Sequence, residues 1–229
     1  MKIYNFFNLN VKDIFASLFI IFSLIPWVNF GLNSRDSQIW PLLFGMAFLF
    51  FCIHRRIPLI FLFPFLIPIL AIFSWFFLSD LTLDGIRGFV ALRGILSYTG
   101  FAICFVAFLY YLRENEFPVK IFIIVNLLYV FVGIAQTLID PAIVSSIVAS
   151  RDQTFSSAPF LARGVPGLTP EPTFFGIFLY FISFIYLTFY DFKPPNKIKY
   201  LLIINLLTII LLTRSTMILL FLILTIPFL

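Results

Sequence analysis

Two groups of charged residues in this sequence are placed where they could do chemistry. Arg35, Arg87, Arg93, Arg151, Arg163 and Arg214 fall in one alternating set of the segments between apolar runs, together with Asp80, Asp84, Asp140, Asp152 and Glu171. The other set holds every lysine (Lys2, Lys12, Lys120, Lys193, Lys197 and Lys199) with Arg55, Arg56 and Arg113. A guanidinium is a planar fork of donors that grips phosphate or carboxylate by two bonds, whereas an ammonium is a point charge. A set whose cations are all arginine reads as an anion site, or as chance combined with snorkelling at helix ends. Asp80, Asp84 and Arg87 stand at i, i+4 and i+7 on one helical face, where mutual charge pairing is the simpler reading.

Other chemistries lack their residues. There is no Walker-type glycine loop, no dinucleotide fingerprint and no His-Glu-x-x-His. No Asp-x-Asp pair occurs that could hold a metal-bound nucleotide sugar. The single histidine, His54, belongs to the lysine set, so no Ser-His-Asp triad forms on the arginine side. Cys52 and Cys104 lie inside apolar runs and read as small apolar filler. No cofactor or metal is expected. The chemistry is left to the arginines and to Glu171, Asp140, Asp152, Asp80 and Asp84.

The elements that must position these residues are membrane helices. Hydrophobic residues make up 62% of the 229, charged residues 11%, and 34 are Phe; a soluble domain carries about 25% charged residues. The mean hydropathy is +1.11. Charge-free runs cover 14–34, 37–53, 57–79, 94–112, 121–139, 172–190, 200–213 and 215–229. The first six suit spans of roughly 20 residues. The last two are short and read as two spans meeting at Thr213-Arg214-Ser215-Thr216, or as one long tilted helix; a polar interruption in mid-lipid favours two. The fold class is all-α, a polytopic transmembrane bundle of seven or eight spans forming a single membrane domain over 1–229. The first run is too long for a signal peptide, and no small-residue cleavage site follows it, so it reads as a retained span.

The lysine set holds nine cations and the arginine set six. The positive-inside rule then places the N-terminus in the cytoplasm and the arginine set outside. The net charge of +5 is mostly an insertion signal and gives no evidence of nucleic-acid binding. The main outer loop, 140–171, begins with a stretch from Ala142 to Ser150 that reads as a short interfacial helix. It holds Phe155, Phe160 and Leu161, ends in Pro166-Gly167-Leu168-Thr169-Pro170-Glu171-Pro172, and reads as ordered and packed on the helix mouth.

Polar residues inside the runs keep helical rhythm: Asn126, Tyr129, Gly133, Gln136 and Asp140 on the fifth; Thr173, Gly176, Tyr180, Ser183 and Tyr190 on the sixth; Asn205, Thr208 and then Ser215 on the seventh. Such groups turn inward to find partners. They read either as helix–helix glue or as a substrate groove, with Asn126 and Gln136 its candidate contacts. Pro58, Pro64 and Pro68 predict a kink in the third run. His54, beside Arg55 and Arg56, reads as a headgroup contact.

One stretch carries a family likeness. Arg163-Gly164 leads into Gly-Leu-Thr-Pro-Glu-Pro-Thr-Phe-Phe-Gly (167–176), which opens a span; a short basic turn follows; the next span ends in Leu-Leu-Thr-Arg-Ser-Thr (211–216), and another apolar run begins. This order resembles the O-antigen polymerase and O-antigen ligase superfamily, the Wzy-like membrane proteins of bacterial polysaccharide assembly. Family members are longer, so the chain reads as an N-terminal portion of one. The resemblance implies a bacterial inner-membrane protein that transfers glycan on the outer face, in lipopolysaccharide or capsule synthesis. The donor is an undecaprenyl-diphosphate-linked oligosaccharide and the acceptor another glycan. The implied partners are membrane lipid, a chain-length regulator and a flippase, without metal or nucleotide. By position Arg163 matches the arginine of the family's central outer loop, and Arg214 the arginine after the following span; both are implied to hold the diphosphate, with Arg151, Arg87 and Arg93 behind them. Glu171 is the candidate base for the acceptor hydroxyl. It reads equally as a helix-start acid after Thr169-Pro170, and Arg163 as its ion-pair partner. The rival readings are a polysaccharide or lipid transporter of flippase type and a non-catalytic membrane subunit.

Overall fold

A helix satisfies its own backbone without water, and the apolar runs fold as helices. The computed structural model describes residues 11–28, 39–52, 58–78, 85–140, 142–144, 146–148 and 164–225. Among them there is no strand beyond an isolated antiparallel bridge between Val28 and Val148. In chain order the elements are α1 (Val11–Leu24), α2 (Ile39–Cys52), a 3-10 segment (Leu59–Phe65) running into α3 (Leu66–Leu78), α4 (Gly85–Glu114), α5 (Val119–Leu138), α6 (Pro172–Phe189), α7 (Asn196–Thr208) continued by a π-helical segment (Ile209–Thr213), and α8 (Thr216–Thr225).

Four helical stretches are long and apolar enough to cross a membrane: Gly94–Glu114 within α4, Val119–Leu138, Pro172–Phe189, and Asn196–Thr213. Helices α1, α2, α3 and α8 have 14, 14, 13 and 10 residues. At about 1.5 Å per residue they fall short of a roughly 30 Å hydrocarbon core. Helix α4 starts at Gly85, well before the charge-free run at 94, because arginines interrupt the apolar pattern without interrupting the backbone. The proline-rich third run takes the form of a change of helix type. Pro64 lies inside the 3-10 segment, and Pro68 falls in the first turn of α3, just after the change of helix type.

The chain divides into two compact units, residues 1–26 with 37–118, and 27–36 with 119–229. In the first, α1 and α4 both pack on α2, and α3 on α4. Phe19 stacks on Phe48 with ring centroids 6.4 Å apart. Lys12, at the start of α1, forms an ion pair with Glu114 at the end of α4.

In the second unit the contacts fix the direction of every helix. Helices α5 and α6 are antiparallel, since the Tyr129 ring stacks on Phe178 at 3.9 Å while Gly133 lies against Phe175. Helix α7 is antiparallel to α6, for Asn205 bonds Ser183 and Thr213 lies against Gly176. Helix α8 then runs parallel to α6, with Ile218 against Gly176 and Phe221 stacked on Tyr180. The chain therefore reverses between Thr213 and Thr216, and α7 and α8 form a hairpin. The two short apolar runs meet at Arg214 as two helices, of which Asn196–Thr213 has spanning length.

Candidate functional site

The end of α5, the start of α6, the end of α7 and the start of α8 gather at one end of the second unit. Residues 164–170 lie across this end and are buried. A buried loop must satisfy its backbone, and each contact here does so. The last carbonyls of a helix lack intrahelical partners, and Leu212 O takes the Val165 N–H at 2.9 Å. Gln136 on α5 uses both halves of its amide on one residue: Oε1 accepts the Gly167 N–H at 2.7 Å and Nε2 donates to Gly167 O at 3.3 Å. The Thr169 hydroxyl lies 2.7 Å from Pro166 O and 2.6 Å from Glu171 O.

Two glycines in left-handed conformation allow this fit, Gly164 at φ +91° and Gly167 at φ +62°. A Cβ on Gly164 would overlap the Thr213 carbonyl and stand 2.5 Å from Leu212 O. A Cβ on Gly167 would stand 3.1 Å from the buried Phe175 ring. The aromatic side chain thus sits between the loop and α5.

Arg214 occupies the hairpin with left-handed backbone, φ 46° and ψ 29°. It is exposed, and its Nε donates to Leu211 O at 3.3 Å. On either side of it Thr213 and Ser215 are buried. The Ser215 hydroxyl meets that of Thr173 at 3.4 Å, so α6 and α8 begin side by side. Arg214 immediately precedes the amino end of α8, while its guanidinium is bonded to a carbonyl at the carboxyl end of α7, where a cation is favoured. Glu171 is half-buried at the N-cap position of α6, in extended backbone, with no side-chain bond to the helix amides and Pro172 at the first helical position.

The structure brings Arg214, Glu171 and Gln136 to one end of the unit, but Gln136 is fully buried and committed to the loop. Asn126 lies deeper, also fully buried. Its Nδ2 donates to Asn205 Oδ1 at 2.9 Å, Asn205 Nδ2 donates to Ser183 Oγ at 2.9 Å, and Ser183 donates to Leu179 O at 2.7 Å. The polar stripes of the three helices face one another, and the amides of Asn126 and Gln136 are bonded within the protein. Thr169, with two carbonyls on one hydroxyl, was not singled out; its signal was a Thr between two turn-forming Pro-x pairs.

Arg151 and Arg163 lie outside the described residues, as do Asp80, Asp84, Asp152, His54, Phe155, Phe160 and Leu161. Gly164, the residue after Arg163, is seated on Thr213. Arg87 and Arg93 belong to α4, of which only the backbone is described there. Asp140 is exposed and accepts the Ala142 N–H at 2.9 Å. The interfacial helix expected over 142–150 is not seen in its described residues: 142–144 and 146–148 form turns, and Val148 pairs with Val28. Among the described residues no three His, Cys, Asp or Glu side chains gather.

No family model matches the chain, and no curated protein or solved structure matches it significantly.

Proposed function

We propose that the chain is a polysaccharide polymerase-like protein of the bacterial inner membrane, with seven or eight spans and a cytoplasmic N-terminus. It transfers glycan from an undecaprenyl-diphosphate carrier to an acceptor glycan on the outer face. The observation that carries this reading is the hairpin at Arg214. There the exposed Arg214 joins the carboxyl end of α7 to the amino end of α8, which begins beside α6, and the half-buried Glu171 stands at the N-cap of α6. Arg163 directly precedes the residue seated on that hairpin.

In the proposed step the acceptor hydroxyl oxygen bonds to the anomeric carbon as the bond from that carbon to the diphosphate breaks. The hydroxyl proton passes to Glu171. The bonding electrons leave with the diphosphate, whose growing charge is held by Arg214 and Arg163, with Arg151, Arg87 and Arg93 as further candidates. One well-placed donor at a low-dielectric site is worth about 10²–10³ in rate.

The test replaces Arg163, Arg214 and Glu171 singly, as Arg→Gln and Glu→Gln, in a strain that depends on this gene for its long-chain polysaccharide. Each variant is expected to shorten or abolish the chains while the protein remains in the membrane. Wild-type chain length in all three sinks the proposal. The rival readings are a transporter of flippase type and a non-catalytic membrane subunit. Purified protein that extends a lipid-linked glycan in detergent would decide for the enzyme.

A further inference from the structure

The opposite end of the second unit carries a different pattern, and it does not depend on the proposed glycan transfer. The connection between α6 and α7 is short and rigid. The Phe192 N–H bonds Leu187 O at 2.7 Å and the Ile198 N–H bonds Pro195 O at 2.9 Å. Asp191 and Phe192 are both left-handed, at φ 48° and 59°, and Pro194-Pro195 leads into α7. Lys193, Lys197 and Lys199 are exposed. Among the described residues none of the three lies within ion-pair distance of a carboxylate. Asp191 is the one acid between Tyr190 and Tyr200.

The surface that continues from these cations is apolar. From Lys199 one exposed stripe of α7 runs through Ile203 and Leu207, and from Tyr200 a neighbouring one runs through Ile204 and Leu211. Tyr200 is 67% exposed and Ile203 54%. Phe189 and Phe192 are exposed beside the turn. The buried face of α7, with Ile198, Leu201, Asn205 and Thr208, points the other way. Lys197 and Lys199 thus flank the top of the stripe, with Tyr200 between them around the helix.

We propose that this end of the unit is a docking surface for one phospholipid with an anionic headgroup. The turn joins two helices of membrane-spanning length, so it lies at a bilayer interface, where the available anion is a lipid phosphate. The headgroup sits among Lys193, Lys197 and Lys199, with the Tyr200 hydroxyl as a further donor. An acyl chain lies along Ile203 and Leu207. Aromatic residues at headgroup depth and lysine stems on apolar surface fit this placement. Pro194 and Pro195 restrict the backbone that carries the lysines, which lowers the ordering cost of the turn. Each lysine adds about fivefold at low salt.

Full-length protein in detergent is offered equal amounts of phosphatidylglycerol and phosphatidylcholine with identical acyl chains, and bound lipid is counted by native mass spectrometry. The wild type is expected to retain phosphatidylglycerol at least about tenfold over phosphatidylcholine, with the preference fading as ammonium acetate is raised. The K193Q/K197Q/K199Q variant is expected to lose the preference, K193R/K197R/K199R to keep it, and Asp191→Asn to increase it. Equal retention by the wild type overturns the proposal, as does a preference that survives K193Q/K197Q/K199Q. If the site serves an acidic protein instead, the lipid ratio will not respond to the lysines, which also overturns it. Should the glutamine variant misfold, Asp191→Asn keeps the site testable, and an unchanged preference in that variant overturns the proposal.

Discussion

Gln136 holds one peptide unit by both of its polar edges. Replacing it by Leu would leave the buried N–H and C=O of Gly167 without these partners, and stranding such groups costs about 1–3 kcal/mol. Gln136→Leu is therefore expected to lower the thermal unfolding midpoint in detergent; an unchanged midpoint would contradict the clamp. Gly164→Ala should act differently, since its Cβ meets backbone that cannot rotate away. The segment is expected to leave its seat. A cysteine at Val165, inert to a water-soluble maleimide in the parent, should then become reactive. The helical rhythm from Asn126 to Asp140 made it legible that Gln136 faces inward. Its partner was not legible, because Gly167 lies 31 residues away and a peptide group has no sequence signature. The same holds for Arg214: its exposure was foreseeable, but its left-handed backbone follows from a reversal that only the packing of α8 on α6 imposes.

At the level of the helices, the second unit is held by small residues and by amides. Gly176 gives α8 its close approach, and a Cβ there would come 2.8 Å from Ile218 and 3.2 Å from the Thr213 hydroxyl. Gly176→Ala is expected to cost about 1–3 kcal/mol by overpacking, read in the same unfolding assay. Asn126→Leu and Asn205→Leu each remove the bond they share. Interhelical hydrogen bonds in membranes are worth about 0.6 kcal/mol on average and up to about 1.7, so each loss should be modest. The double variant should lose less than the sum of the two, because the partners are coupled. The elements themselves were legible wherever composition alone decides, as in α5 and α6, whose bounds lie close to their charge-free runs. They were not where backbone and composition part company. The first turns of α4 carry Arg87 and Arg93 and are helical nonetheless, whereas 142–144 and 146–148 lie in a stretch of helical spacing and form turns.

At the scale of the whole chain the expectation to test concerns sides. The helical stretch Asn196–Thr213 has 18 residues, which at about 1.5 Å each is close to 27 Å. Its two ends carry Lys193 with Lys197, and Arg214. Single cysteines at positions 193 and 214 are expected to react from opposite sides of a sealed membrane, with position 193 labelled only after permeabilisation. Labelling of both from one side would refute the span and the functional reading with it.

The π segment at Ile209–Thr213 ties these observations together. A wide turn of this kind holds one residue more than an α-turn in the same length. Deleting one residue from it would restore a plain α-turn of the same length, with the Asn205 face of α7 and the hairpin both left in place. The surplus residue therefore acts as a phase adjuster. Relative to an uninterrupted α-helix counted from Asn205, it shifts the residue that stands at the rim by one position, so the wide turn decides that Arg214 is the side chain found there.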